Sequence, residues 1–111
     1  MAIQKKRLDV RRFDAAKFQK LNLFETRRFF LDVYCLEPGQ AQAPHVHDDS
    51  DKLYAVLEGS AVVTVGGEKA TLGPSEVVHA PAGVEHSIVN PGPGRAAVLA
   101  FAAPHTHPPK G

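Results

Sequence analysis

The chain of 111 residues has one cysteine, no apolar run long enough to cross a membrane, and almost no helical periodicity. Each shortage closes off a class of protein. A single cysteine, Cys35, cannot build an internal disulfide framework or a cysteine-based zinc site. Nothing around it sets up a thiolate, so it reads as a small buried hydrophobe. A transmembrane helix needs about 18 or more consecutive apolar residues, and no segment approaches that. The opening stretch MAIQKKRLDVRRFDAAK carries charge but no apolar core of a secretory signal, so a cytoplasmic location is the expectation. There is no phosphate-binding glycine loop, no dinucleotide fingerprint, and no serine–histidine–aspartate arrangement in a supporting context. No internal period marks a solenoid.

What is present is charge asymmetry and turn chemistry. Residues 1–28 carry nine basic and three acidic side chains, a formal +6; the remainder carries four basic and nine acidic, a formal −5. A basic arm suits nucleic acid or an acidic partner. With no recognition motif or reading helix beside it, a solvated edge or subunit contact is the expected role. Asp14 looks like the N-cap of a short helix over residues 14–21. Beyond it the chain reads as strands over residues 27–39, 52–59, 60–65, 68–72, 75–80, 84–90 and 95–103, separated by Gly/Pro turns. Gly66-Gly67 between two of them is a type-I′ hairpin signal. This pattern predicts an all-β sandwich or barrel, with residues 1–24 as an N-terminal extension, 25–103 as the barrel and 104–111 as a mobile tail.

Candidate chemistry begins at PHVHDDSDK, residues 44–52. On a strand, side chains two residues apart share a face at about 6.6 Å separation, so His45 and His47 could close on one metal ion. His-x-His alone is a weak signal. A second stretch, PAGVEHSIVN (81–90), is a proline–glycine turn feeding a strand on which His86, Ile88 and Asn90 share a face. Together the two stretches resemble the cupin superfamily. Gly39, His45, His47 and Gly59 stand at the spacing of its first motif, and Pro81, Gly83, His86 and Asn90 at that of its second. The fifteen residues between, 60–74, suit its compact bacterial members. The resemblance implies a double-stranded β-helix, a jelly-roll barrel of six to eight strands, with a site inside its open end.

Two positions depart from the family pattern. Ser75 stands where the second motif begins with glycine, which a turn built on Gly73-Pro74 would tolerate. Lys52 stands where the family has a glutamate, its usual fourth protein ligand. An ammonium has no lone pair to give, and a lysine turned inward among histidines should have a lowered pKa. Three outcomes follow. His45, His47 and His86 hold a divalent transition metal (Zn, Fe, Mn, Ni or Cu), with Lys52 pairing an anionic substrate. Or the metal is lost, and Lys52 with the histidines binds an anion. Or the DDSD loop turns Lys52 outward and brings Asp49 or Asp51 to the metal.

Tyr54 shares a face with Lys52 and reads as pocket-lining or as core. His79 reads as pocket-lining or as an outer residue. Asn90 reads as a turn-stabilising amide, and Tyr34, Phe29, Phe30 and Phe101 as packing. His105 and His107 sit among tail prolines and read as incidental. The family ranges over dioxygenases, decarboxylases, isomerases, epimerases and non-enzymatic binding modules, so the fold leaves the activity open. The resemblance implies a small-molecule ligand, and a homodimer through exchanged N-terminal strands.

Overall fold

Glycine and proline turns cut the chain into nine β-strands among the described residues, 2–108 of a computed structural model. They are β1 (Gln19–Glu25), β2 (Phe30–Leu36), β3 (Ala41–His45), β4 (Asp51–Glu58), β5 (Ala61–Val65), β6 (Glu68–Leu72), β7 (Val77–Ala80), β8 (His86–Val89) and β9 (Ala96–Ala103). Two sheets form, ordered β1-β2-β9-β4-β7 and β3-β8-β5-β6, and every pairing is antiparallel. This is the all-β double-stranded β-helix expected of the sequence, with β1 and β3 added to the seven strands read from it. No helix among the described residues is long and apolar enough to cross a membrane.

Alternation decides which side chains enter the barrel. Tyr34 and Leu36 on β2, Tyr54 and Val56 on β4, Ile88 on β8 and Val98 on β9 form the inner core. Fully burying each such side chain contributes about 1.5–3 kcal/mol. The opposite faces of β1, β2 and β9 supply a second, outer cluster of Leu23, Val33, Cys35 and Ala97. Val10 and Phe13 of the basic arm pack onto that cluster. Arg11 pairs with Glu58 at 2.9 Å, and Arg95 lies 4.5 Å from the centre of the Phe13 ring. Part of the arm is therefore a cover for the sheet's outer face.

The helix read over residues 14–21 does not form. Asp14 accepts a hydrogen bond from the Ala16 amide at 2.7 Å, but the chain only bends there and enters β1 at Gln19. From there the residues alternate, with Leu21 and Leu23 packing outward, and pairing with β2 overrides the local cap signal. Residues 19–24 of the N-terminal extension thus lie in a strand of the five-stranded sheet. Part of the tail also makes contacts with the barrel. Ser50 Oγ donates to the Pro104 carbonyl at 2.7 Å, His105 Nε2 lies 2.6 Å from Glu25 Oε2, and the His105 ring meets the Phe30 edge at 5.2 Å. Residues 104–107 thus lie against the barrel; 109–111 lie outside the described residues.

Turn geometry accounts for the motif residues far from the histidines. Gly66 and Gly67 both have positive φ, +57° and +87°, as a type-I′ hairpin requires. A Cβ on Gly59 would fall 2.2 Å from the Arg95 carbonyl oxygen, so that position is closed to any other residue. Asn90 is buried at the closed end, where its amide donates to the Leu36 and Gly94 carbonyls at 2.9 Å each and its Oδ1 accepts from the Gly92 amide. Ser75 itself takes the left-handed conformation, φ +71°, so the strain at this departure is not absorbed by Gly73-Pro74.

Two stability changes are expected, both measurable by urea unfolding. Ser75→Gly raises the unfolding free energy by up to about 1 kcal/mol, by relieving the left-handed strain. Asn90→Ala removes the buried hydrogen bonds to the Leu36 and Gly94 carbonyls and lowers it by about 1–3 kcal/mol.

Candidate metal centre

β3 is an edge strand, and its register against β8 shifts between Gln42 and His45. An odd separation puts two residues on opposite faces of a regular strand; the bulge cancels this and turns both inward. Pro44, which has no amide to donate, sits inside the irregularity, where an edge strand tolerates it. His45 then stands directly across from His86.

His47 is not on the strand that the spacing implied. It lies two residues past the end of β3, and its carbonyl accepts from the Gly83 amide at 2.8 Å. The Pro81-Ala82-Gly83 turn thus anchors the loop that carries His47. Ring centres lie 4.9 Å apart for His45 and His47, 4.1 Å for His45 and His86, and 5.9 Å for His47 and His86. One nitrogen from each ring falls within 4.8 Å of the others.

The tautomers follow from the backbone. His45 Nδ1 lies 2.9 Å from the Ala43 carbonyl, and His86 Nδ1 lies 3.1 Å from the Val84 carbonyl. A carbonyl can only accept, so Nδ1 carries the proton and Nε2 carries the lone pair. Both Nε2 atoms are buried without a hydrogen-bond partner. Burial, the main cause, lowers the pKa of His45, His47 and His86, so the rings stay neutral and their lone pairs free at neutral pH. Neutral imidazoles with Nδ1 fixed by carbonyls suit a divalent ion about 2 Å away, and the three could hold one.

Lys52 points inward and is 2% exposed. Its neighbours across β7 and β9 are Ala80 and Ala102, whose methyls leave room for the lysine chain. Nζ donates to Tyr34 Oη at 3.0 Å and Gln42 Oε1 at 3.3 Å, and lies within 5.8 Å of the ring centres of Phe30, Tyr34 and Tyr54. Burial lowers its pKa to about 7, Lys20 adds repulsion, and Asp32 partly opposes both. Tyr54 enters the same interior and donates to Gln42 Oε1 at 2.9 Å. Burial raises the pKa of both tyrosines, so they remain protonated.

A cavity of 300 Å³ opens beside the histidines. Lys20 and Lys52 line it with Glu25 and Asp32, so its charge is mixed. A larger depression, 470 Å³, lies along residues 17–20 and 41–43 and contains no histidine or carboxylate.

His79 does not line this cavity. It pairs with Leu53 on the outer face, where Asp51 Oδ1 meets its Nε2 at 3.1 Å. One residue along β7, Ala80 takes the inward position. The carboxylate alternative also fails. Asp51 Oδ1 is engaged outside by His79 and the Ala82 amide, and Asp49 is exposed and outside the histidine cluster. Sequence reasoning missed Gln42, whose inward turn depends on the bulge, and took Tyr34 for packing alone. It also missed the approach of His105 and His107 to the cavity. Two polar residues at alternate positions in the middle of β2, Asp32 and Tyr34, were the available signal for that wall.

The cupin domain family matches residues 32–102. The protein TT1209 from Thermus thermophilus superposes with a TM-score of 0.90 at 41% identity, over 93% of this chain and 99% of that one. A Klebsiella pneumoniae protein with a double-stranded β-helix domain gives 0.82 at 26% identity, over 91% and 84%. The tetracenomycin polyketide synthase protein TcmJ of Streptomyces glaucescens is 40% identical over 63 residues, 57% of this chain and 42% of its own length. The matched region is thus less than half of that relative. With the family's histidines converging at the mouth of its barrel, the chain belongs to the cupin domain family.

Proposed function

We propose that this cupin binds one divalent transition metal (Zn, Fe, Mn, Ni or Cu) through His45, His47 and His86, with a small carboxylate or hydroxylated compound beside it. The observation that carries this reading is the pair of buried, unpartnered Nε2 atoms on His45 and His86. A bound ion would supply Lewis acidity at the substrate oxygen. The chain's own contribution is positioning and proton exchange. Neutral Lys52 uses two N–H groups on Tyr34 and Gln42; the proton gained near pH 7 adds a further donor for an anion or a reacting oxygen. Oxygenation or isomerisation is the chemistry such a site suits.

A second reading has one observation in its favour. Lys52 carries a potential positive charge with no carboxylate bonded to it among the described residues, so the pocket could hold an anion without metal. Ligand binding that survives a chelator but falls in Lys52→Ala would select it. The working unit we propose is a cytoplasmic homodimer. Exposed Leu53 and Val77 on the outer sheet face, and the unpaired edge of β1, support the pairing. Light scattering at micromolar concentration should return twice the 12.0 kDa chain mass; a 12.0 kDa particle would refute it.

The main test is metal analysis of untagged protein. Near-stoichiometric metal is expected in the wild type and loss of most of it in His86→Ala. Metal absent from the wild type but taken up by Lys52→Glu would show that lysine abolishes the centre.

Lys52 also sets a pH dependence in metal-free protein. Unfolded, it binds its proton near pH 10.5; folded, near 7. Between these values the unfolded state holds more protons, so stability rises with pH and the penalty is complete below about pH 7. The buried tyrosines act in the opposite sense above about pH 10. Urea unfolding from pH 7 to 9.5 should show rising stability in the wild type and a nearly flat profile in Lys52→Met.

A further inference from the structure

The segment that crosses the barrel mouth carries an imidazole, His107, beside His47. Its approach is fixed by successive contacts. Ser50 Oγ holds the Pro104 carbonyl, and Glu25 holds His105 Nε2 while the same ring packs on Phe30. His105 Nδ1 then accepts the His107 amide at 2.9 Å, which fixes the turn that brings His107 over the cavity. The His105 side chain is 7% exposed, so this anchor is built into the wall.

The His107 ring centre lies 6.2 Å from that of His47, nearly the 5.9 Å that separates His47 from His86. Two imidazoles bound to one ion through nitrogens about 2 Å from it have ring centres roughly 5–6 Å apart, so the His47–His107 spacing is close to that of a shared ion; His107 stands outside the group of nitrogens that already lie within 4.8 Å of one another, so it must swing inward to join them. His45, His47 and His107 line the same cavity. The His107 ring makes no hydrogen bond to another described residue. Lys52, meanwhile, occupies the position of the family's fourth ligand and points its amine at Tyr34 and Gln42.

We propose that His107 is a fourth metal ligand delivered by the C-terminal segment, replacing the protein ligand lost at Lys52, with His105 as its positioning residue. This rests on the metal reading above. It also assigns Glu25 a purpose. Its carboxylate orients His105 and lines the cavity, placing near the ion a negative charge that three neutral imidazoles lack.

The test is Co²⁺ titration of untagged full-length protein, followed by visible absorption. Wild type should bind one Co²⁺. His107→Ala should bind it about tenfold or more weakly, with weaker ligand-field bands as solvent replaces a nitrogen. His105→Ala, which leaves His107 in the chain but removes its anchor, should move both readouts in the same direction by less. His107 is exposed, so its removal should leave the thermal transition of the metal-free protein in place. Identical affinity and spectra in wild type and His107→Ala would overturn this proposal while leaving the three-histidine centre standing. Failure of the wild type to take up Co²⁺ would overturn both.

Discussion

Two buried imidazole nitrogens without partners, Nε2 of His45 and of His86, are the constraint around which the barrel mouth is organised. A buried polar atom left unpaired costs about 1–3 kcal/mol, and here two stand side by side. The backbone enforces the arrangement, because the Ala43 and Val84 carbonyls take the Nδ1 protons and leave each Nε2 as an acceptor. The bulge in β3, the direct pairing of His45 with His86 and the Gly83–His47 link all bring acceptors to one point. Such a cost in a folded chain has a ready explanation in a cation that all three rings could share.

Lys52 changes the chemistry of that point without dispersing it. A glutamate there would add negative charge. The lysine instead lies between two alanine methyls, among three aromatic rings, with its amine on Tyr34 and Gln42. Because desolvation brings its pKa to about 7, the residue can give or take a proton under ordinary conditions. The acidic groups that compensate come from other elements: Asp32 on β2, and Glu25 at the end of β1. The negative charge of the pocket thus sits in the cavity wall and not at position 52.

The sequence made the strands and the histidines legible because both follow short-range rules. Period-two alternation, Gly66-Gly67 and the proline turns mark element ends, and the two histidine stretches mark the site. What it hid depends on long-range placement. The segment that leads into β1 carries a helix-cap signal at Asp14, and residues 19–25 become a strand only because β2 is there to pair with them. Gln42 faces inward because a bulge reverses the parity of β3, and no local residue count gives that. His79 faces outward although it lies only one residue from an inward position. The tail histidines look incidental among their proline neighbours, yet Glu25, eighty residues away in sequence, holds His105 in place.

The most direct measurement of the central claim is long-range ¹H–¹⁵N NMR of the histidine rings in metal-free protein at pH 7, with a second spectrum after addition of Zn²⁺. The expected result is neutral His45 and His86 in the Nδ1–H form, with their Nε2 resonances moving on addition of the ion. Imidazolium rings, or Nε2–H tautomers that Zn²⁺ leaves unchanged, would contradict the account.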